Sequence, residues 1–306
     1  MKKLCLLLLF AGAGLCSFTQ QKKIIILTEQ SQNRIVLVDT DTDEIIWDWR
    51  PEESNIKPGH VEWFNAPDDA KSVYSNQYIL ITASGGGVAL IRIADKKAVF
   101  YAYAGGNPHS AELLPDGNIV CASSTGNFLT LFKVDSNTVG ENTWKKTIPI
   151  AFGHNVVWDK KHKLLWSAAM DHIKSFRYNF SCNDPALTLV DSLTIPGTEA
   201  HDLFPDFGTS ALWLTNPTDV YRFDVNKKTV SSTNLLNNNI KSVSSGPSEF
   251  PTIVSQPKEQ WWTDEVLDGS GNSVFRQPGL KIYKARWLLV NTFSYGQKDK
   301  YRQCVK

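Results

Sequence analysis

The chain has 306 residues, with 32 Lys and Arg against 31 Asp and Glu. So even a balance gives no basic face for a nucleic-acid partner. Ten Trp, nine Tyr and fifteen Phe make it aromatic-rich, as secreted β-proteins that handle carbohydrate often are.

The first element is a leader. Met1-Lys2-Lys3, the apolar run from Leu4 to Phe10 and the small residues after it are expected to form a signal peptide over residues 1–19. It is too short and wrongly flanked for a permanent span, and no later run is long and apolar enough for one. Leu15, before Cys16, disfavours lipid attachment there. Removal of Lys2 and Lys3 with the leader would leave 30 basic against 31 acidic residues in one domain, 20–306. The expected location is periplasmic or extracellular. Of the five cysteines, Cys121, Cys182 and Cys304 lie beyond the leader, so at most one disulfide forms. Cys121 sits in an apolar strand as a small core residue, and Cys182 with Cys304 is the candidate pair.

Beyond the leader there is almost no helical periodicity. Apolar runs of four to eight residues alternate with Gly, Asn, Asp and Pro. In chain order, "LTEQSQNRIVLVD", "ITASGGGVALIRI", "CASSTGNFLTLFKV", "SAAMDHIKSFRY" and "LTNPTDVYRFDV" each pair a short strand, a turn and a second strand. The later strands open at Ile35, Val88, Phe128, Ile173 and Val220, an imperfect period near 46. Outer strands are expected at "EIIWDWRP", "KAVFYAYAGG", "WKKTIPIAFG" and "LTLVDSLTIPG". A period of 40 to 50 residues with four short strands marks propeller blades, because one such sheet cannot bury its own faces. The expectation is an all-β, six-bladed β-propeller. Seven blades is the alternative if the irregular stretch from Lys241 onward holds two. Sandwich and solenoid readings fit the repeat length worse. Ile24–Leu27 reads as the second strand of a blade, so the first strand of that blade must come from the C-terminal part, within 282–293.

The first strands begin "PGHVEWFNAPDDA", "NPHSAELLPDG", "FGHNVVWDKKH" and "EAHDLFPDFG", placing His60, His109, His154 and His201 about one blade apart; Lys241 takes the place in "NIKSVSSGPS". First strands line a propeller axis, so these side chains are expected to converge on one channel mouth. Imidazoles and an ammonium there suit anion binding, metal coordination or proton transfer. A histidine near a blade-to-blade turn can also be structural, and the case for a site rests on four in register. His162 and His172 read as turn residues. Lys284 and Arg286, two cations in an apolar strand, either reach the same mouth or form an inter-blade ion pair. Glu29 and Gln30 either face the mouth or sit in a solvated turn. Trp261 and Trp262 read as one core and one rim residue, with a sugar-stacking role for Trp262 as the functional alternative. No phosphate loop, G-x-S-x-G elbow, H-E-x-x-H or CxxC pair is present, and "SGGGV" is a hairpin turn.

"PHSAELLPDGNIV" is similar to the blade motif of arylsulfotransferase-like propellers, and that resemblance implies His109 on the channel. Across "EQSQNRIVLVD", "NPHSAELLPDGN", "GHNVVWD", "KSVSSGPS", "WWTD" and "IYKARW" the chain resembles an uncharacterised family of secreted six-bladed propellers from Bacteroidota, which implies fold and export but no reaction. The expected partner is a carbohydrate or other small anionic ligand, with no membrane span and a monomeric state. Three functions stay open. The first is a binding module for a uronic-acid or sulfated glycan, using His60, His109, His154, His201 and Lys241, with Glu29, Lys284 and Trp262 as further contacts. The second is a lyase with His109, His154, His201, Lys241 and Arg286 as catalytic groups, or with one divalent metal held by His109, His154 and His201. The third is a structural scaffold.

Overall fold

The computed structural model describes residues 21–135 and 137–304. The expected leader, with Cys5 and Cys16, lies outside the described residues. Six four-stranded antiparallel sheets form a six-bladed β-propeller. Their innermost strands are Ile282–Trp287, Pro67–Val73, Pro108–Leu113, Val157–Asp159, Asp202–Pro205 and Ser242–Ser244. Each touches the next, and the ring closes where Ile282–Trp287 packs against both Ser242–Ser244 and Pro67–Val73.

The first blade is the joined one. Ile24–Glu29, Arg34–Asp39 and Glu44–Trp49 follow one another, and Ile282–Trp287 pairs antiparallel onto the first of them. The last stretch is a single blade, Ser242–Ser244 through Ser273–Arg276, so the seven-blade alternative falls. Its strands are only three or four residues long, which is why its repeat is hard to read.

The apolar runs do not alternate with polar residues because each sheet is packed on both faces. Ile24–Glu29 is buried at every position after the first. Ile26 faces the second blade, while Ile25 and Leu27 face the sixth. Six hydrophobic clusters result, one at each junction between blades. Cys121 belongs to the junction of blades two and three, as a core residue. Outermost strands have one free face and read differently: Leu187–Thr194 exposes Leu189 and Val190.

Cys182 and Cys304 form the disulfide. No helix of the described residues is long and apolar enough to cross a membrane.

Candidate functional site: a mouth at the end of the axis

The site is built where the innermost strands start. In the third blade Pro108 pairs with Ser123 and Ser110 with Ala122, so His109 occupies a β-bulge. Pro67, opposite Ala83, and Asp69, opposite Thr82, bracket Asp68 in the same way, and the register also shifts opposite Tyr283 and Lys284. A bulge re-aims one side chain without breaking the sheet, and here it turns side chains toward the axis. Asp68, His109, His201, Lys241 and Tyr283 line a cavity of about 400 Å³. His154 stands between two of them, its ring 4.5 Å from that of His109 and 4.9 Å from that of His201. Each blade thus places one of these polar residues at or beside the mouth, and Gln30, Ser84 and Asn107 complete the polar lining.

Hydrogen bonds fix the protonation pattern. His109 Nδ1 lies 3.1 Å from the Asn107 carbonyl, and His154 Nδ1 lies 3.3 Å from that of Phe152. A carbonyl only accepts, so both rings carry their proton on Nδ1 and keep a lone pair on Nε2. His109 Nε2 is 3.9 Å from Asp68 Oδ1. His201 Nε2 faces two donors, Lys241 Nζ at 3.1 Å and the Tyr283 hydroxyl at 3.2 Å. An ammonium cannot accept, so the His201 proton also sits on Nδ1, a buried donor with no partner among the described residues.

Burial, reinforced by the charge of Lys284, holds His109 down at about 4. Burial first and neighbouring positive groups second hold His154 and His201 well below the ordinary imidazole value. All three are neutral at pH 7. Burial and the charge of Lys284 also lower Lys241, to about 8, against an opposing pull from Glu199. Burial, with the charge of Asp69, raises Asp68 well above the usual carboxylate range, despite the hydrogen bond from Ser84 and the charge of Lys284. Burial likewise raises the Tyr283 phenol.

Below the mouth lies a layer of buried ion pairs. Arg286 grips Asp202 with two N–H groups at 2.6 and 2.7 Å and reaches Asp69 at 3.2 Å. Its guanidinium stacks on Phe204 at 4.0 Å. Lys284 Nζ is 3.3 Å from Asp202 and fully buried. Lys71 pairs with Glu112 at 3.0 Å, and Tyr295 donates to the same carboxylate. Lys241 is different: among the described residues its Nζ bonds only to neutral His201, and no carboxylate comes within 4.0 Å.

Several expected site residues lie elsewhere. His60 is in a 3₁₀ helix, Pro58–Phe64, that precedes the innermost strand; its ring stacks on Trp63 at 3.7 Å and its Nε2 meets Glu141 at 3.0 Å. Asp68 takes the position expected for it. Arg286 and Lys284 serve the inter-blade ion pairs and do not line the cavity. Glu29 is buried, accepting from the backbone N–H of Ser31 and of Lys281 and from Arg34 at 3.0 Å, so it ties the turn to the closing strand. Trp262 sits beside the mouth with Lys281 Nζ 4.9 Å from its ring, and Trp261 faces the mouth instead. His162 and His172 pair with Asp159 and Asp171, away from the axis.

The three histidines do not bring three ring nitrogens within 4.8 Å of one another; among the described residues Asp116, Cys182 and Cys304 are the set that does, and two of those are the disulfide. The expected three-histidine metal centre therefore lacks convergent ligand atoms in this geometry.

Sequence reasoning missed Asp68, Tyr283 and Trp261. The first two had a signal: "PDDAK", "PHSAE" and "IYKAR" align at the alanine that follows the bulge.

A family model described as a family of unknown function, DUF6528, matches residues 14–304. The chain belongs to this family. No curated protein is significantly similar to it. Among solved structures, a protein of unknown function from Bacteroides caccae has a TM-score of 0.58 at 16% identity, over 87% of this chain and 99% of the other. A functionally unknown protein from Desulfotomaculum acetoxidans reaches 0.52 at 13% identity, over 88% and 99%. The β-propeller domain of Myceliophteria thermophila Cps50 (Swd1) reaches 0.54 at 11% identity, over 86% and 87%. These likenesses carry the fold alone.

Proposed function

We propose that the axial mouth binds a small anionic sugar, one bearing a carboxylate or sulfate, and that the protein works outside the cytoplasm. One observation carries the binding reading: the Lys241 ammonium is buried in a polar cavity with no carboxylate partner. Asp68 favours its protonated form, Asp69 and Asp202 are taken by Arg286 and Lys284, and Lys71 pairs with Glu112, so among the described residues Lys241 is the axial cation without a carboxylate in contact. A buried charge left alone is costly, and an incoming anion would complete the set. The Tyr283 hydroxyl can donate to the ligand, while His109 Nε2 can accept from its hydroxyls. The histidines supply hydrogen bonds here and not charge, so the cation that holds the anion is Lys241. The disulfide and the signal-like leader support an oxidising location.

Titration calorimetry against a panel of uronic acids and sulfated hexoses tests the reading. We expect binding by the native protein and at least a tenfold loss in Lys241→Gln, the usual scale for a charge-assisted hydrogen bond. A panel without any binder, or full affinity in Lys241→Gln, refutes it.

A lyase is the second reading, and it is favoured by the juxtaposition of a free imidazole lone pair, His109 Nε2, with the Lys241–His201–Tyr283 cluster. In such a reaction Lys241 would neutralise the sugar carboxylate. The imidazole would remove the proton from the adjacent carbon, whose electron pair forms the new C=C bond. The neighbouring C–O bond breaks, and Tyr283 returns a proton to the leaving oxygen. Absorbance of the unsaturated product on uronic-acid oligosaccharides reads this directly. Binding without new absorbance leaves a binding module.

A further inference from the structure

We infer that the mouth is one of two adjoining subsites and that the ligand is an acidic oligosaccharide of at least two sugar units. This rests on the anionic-sugar reading above. In the sixth blade, Ser242–Ser244 starts at the mouth, Ile253–Ser255 ends there, Glu265–Asp268 starts there and Ser273–Arg276 ends there. The connections 256–264 and 277–281 therefore rise on the same end of the propeller as Lys241. A small hairpin, bridged between Glu259 and Trp262, stands on that end. Trp261 lines the mouth, and Trp262 lines a second cavity of about 390 Å³ with Lys258, Arg276 and Lys281.

Trp261 exposes 51% of its surface, the second most exposed large hydrophobic residue in the described chain. It is nonetheless held: its Nε1–H donates to Gln30 Oε1 at 2.9 Å, and Gln30 Nε2 donates to the Pro67 carbonyl at 3.1 Å. A large ring fixed at the rim of a polar cavity is a pre-organised stacking surface for the apolar face of a sugar, and no ordering cost falls on binding. In the second cavity Lys258 and Arg276 are already paired with Asp264 and Glu265. Lys281, its Nζ over Trp262, has no carboxylate within 4.0 Å among the described residues. The arrangement repeats the mouth on a smaller scale: one aromatic face and one unpaired cation. A chain with an acidic group on successive units, its end unit on Lys241, would lay the next across Trp261 toward Lys281.

The experiment is calorimetry with galacturonate and glucuronate as monomer, dimer and trimer, on the native protein, Trp261→Ala and Lys241→Gln. Dimer and trimer should bind about tenfold more tightly than the monomer, the scale of one aromatic stacking contact. Trp261→Ala should remove that gain, weakening dimer and trimer more than monomer, while Lys241→Gln weakens every length by a similar factor. Equal affinity for monomer and trimer, or a trimer preference that survives Trp261→Ala, overturns the two-subsite inference alone. If no length binds, the anionic-sugar reading fails and this inference falls with it.

Discussion

Lys241 and the three imidazoles divide the labour at the mouth by protonation state. Because burial keeps the histidines neutral at pH 7, they should add no charge-dependent loss of ligand affinity there. Affinity should fall as pH rises through about 8, where Lys241 loses its proton, approaching a tenfold loss per pH unit above that. A ligand anion favours the charged lysine, so binding near pH 8 should also take up protons, visible as a dependence of the calorimetric heat on the buffer. The burial that keeps the histidines neutral has a stability consequence. His109 protonates near 6.5 in the unfolded chain but only at about 4 in the folded one. The unfolded state therefore binds the extra proton first as pH drops. Stability from this group is fully present above about 6.5 and is lost as pH falls toward 4, by up to about 3 kcal/mol. Urea unfolding across pH 4 to 7 should show a shallower acid slope in His109→Gln than in the native protein.

At the scale of the strand, the closing element "IYKARW" carries two kinds of information. Tyr283 reaches the mouth, and Lys284 and Arg286 hold the blades below it. Asp202 receives both cations, so Asp202→Ala leaves the buried Lys284 without its carboxylate and Arg286 with Asp69 alone. Breaking such a pair typically costs about 3–5 kcal/mol, and the midpoint of chemical unfolding should drop accordingly. Lys241→Gln, which breaks no carboxylate contact and removes a buried unpaired charge, should leave that midpoint unchanged or raise it. The contrast separates the fold from the site. Much of this was legible beforehand. The openings at Ile35, Val88, Phe128, Ile173 and Val220 all fall within a residue of the strands that start there, because turn chemistry and sheet burial are local. Four of the six mouth residues, His109, His154, His201 and Lys241, were legible for the same reason. His60 was misread because it lies inside a seven-residue 3₁₀ helix, a form with no long periodicity, ahead of its strand; the register is set by the bulge at Asp68. Arg286 could not be resolved from sequence, since its partner Asp202 is 84 residues away in the chain.

Across the whole molecule, the ring is secured twice. Ile282–Trp287 closes the first blade by hydrogen bonds. The chain then runs under the opposite end of the propeller, where the innermost strands finish. Tyr295 donates there to Glu112, Lys160 Nζ donates to the carbonyls of Thr292 and Tyr295 at 2.7 Å each, and Tyr301 stacks on Tyr78. The strap ends at Cys304, bonded to Cys182 across 122 residues. A link that long restricts the unfolded chain strongly, by about 4–5 kcal/mol in the chain-entropy description. Cys304→Ser should therefore lower the unfolding midpoint substantially. A reductant should do the same to the native protein while leaving the variant where it is. Blade closure by Ile282–Trp287 does not need the disulfide, so the β-rich circular dichroism spectrum of the variant should match the native one at 25 °C. The mouth lies at the other end of the axis, so sugar affinity should also be unchanged there. A Cys304→Ser protein that keeps its native midpoint would show that the strap is held by its tyrosine contacts alone. One that loses ligand affinity while still folded would show that the two ends of the axis are coupled through the Lys71–Glu112–Tyr295 contacts.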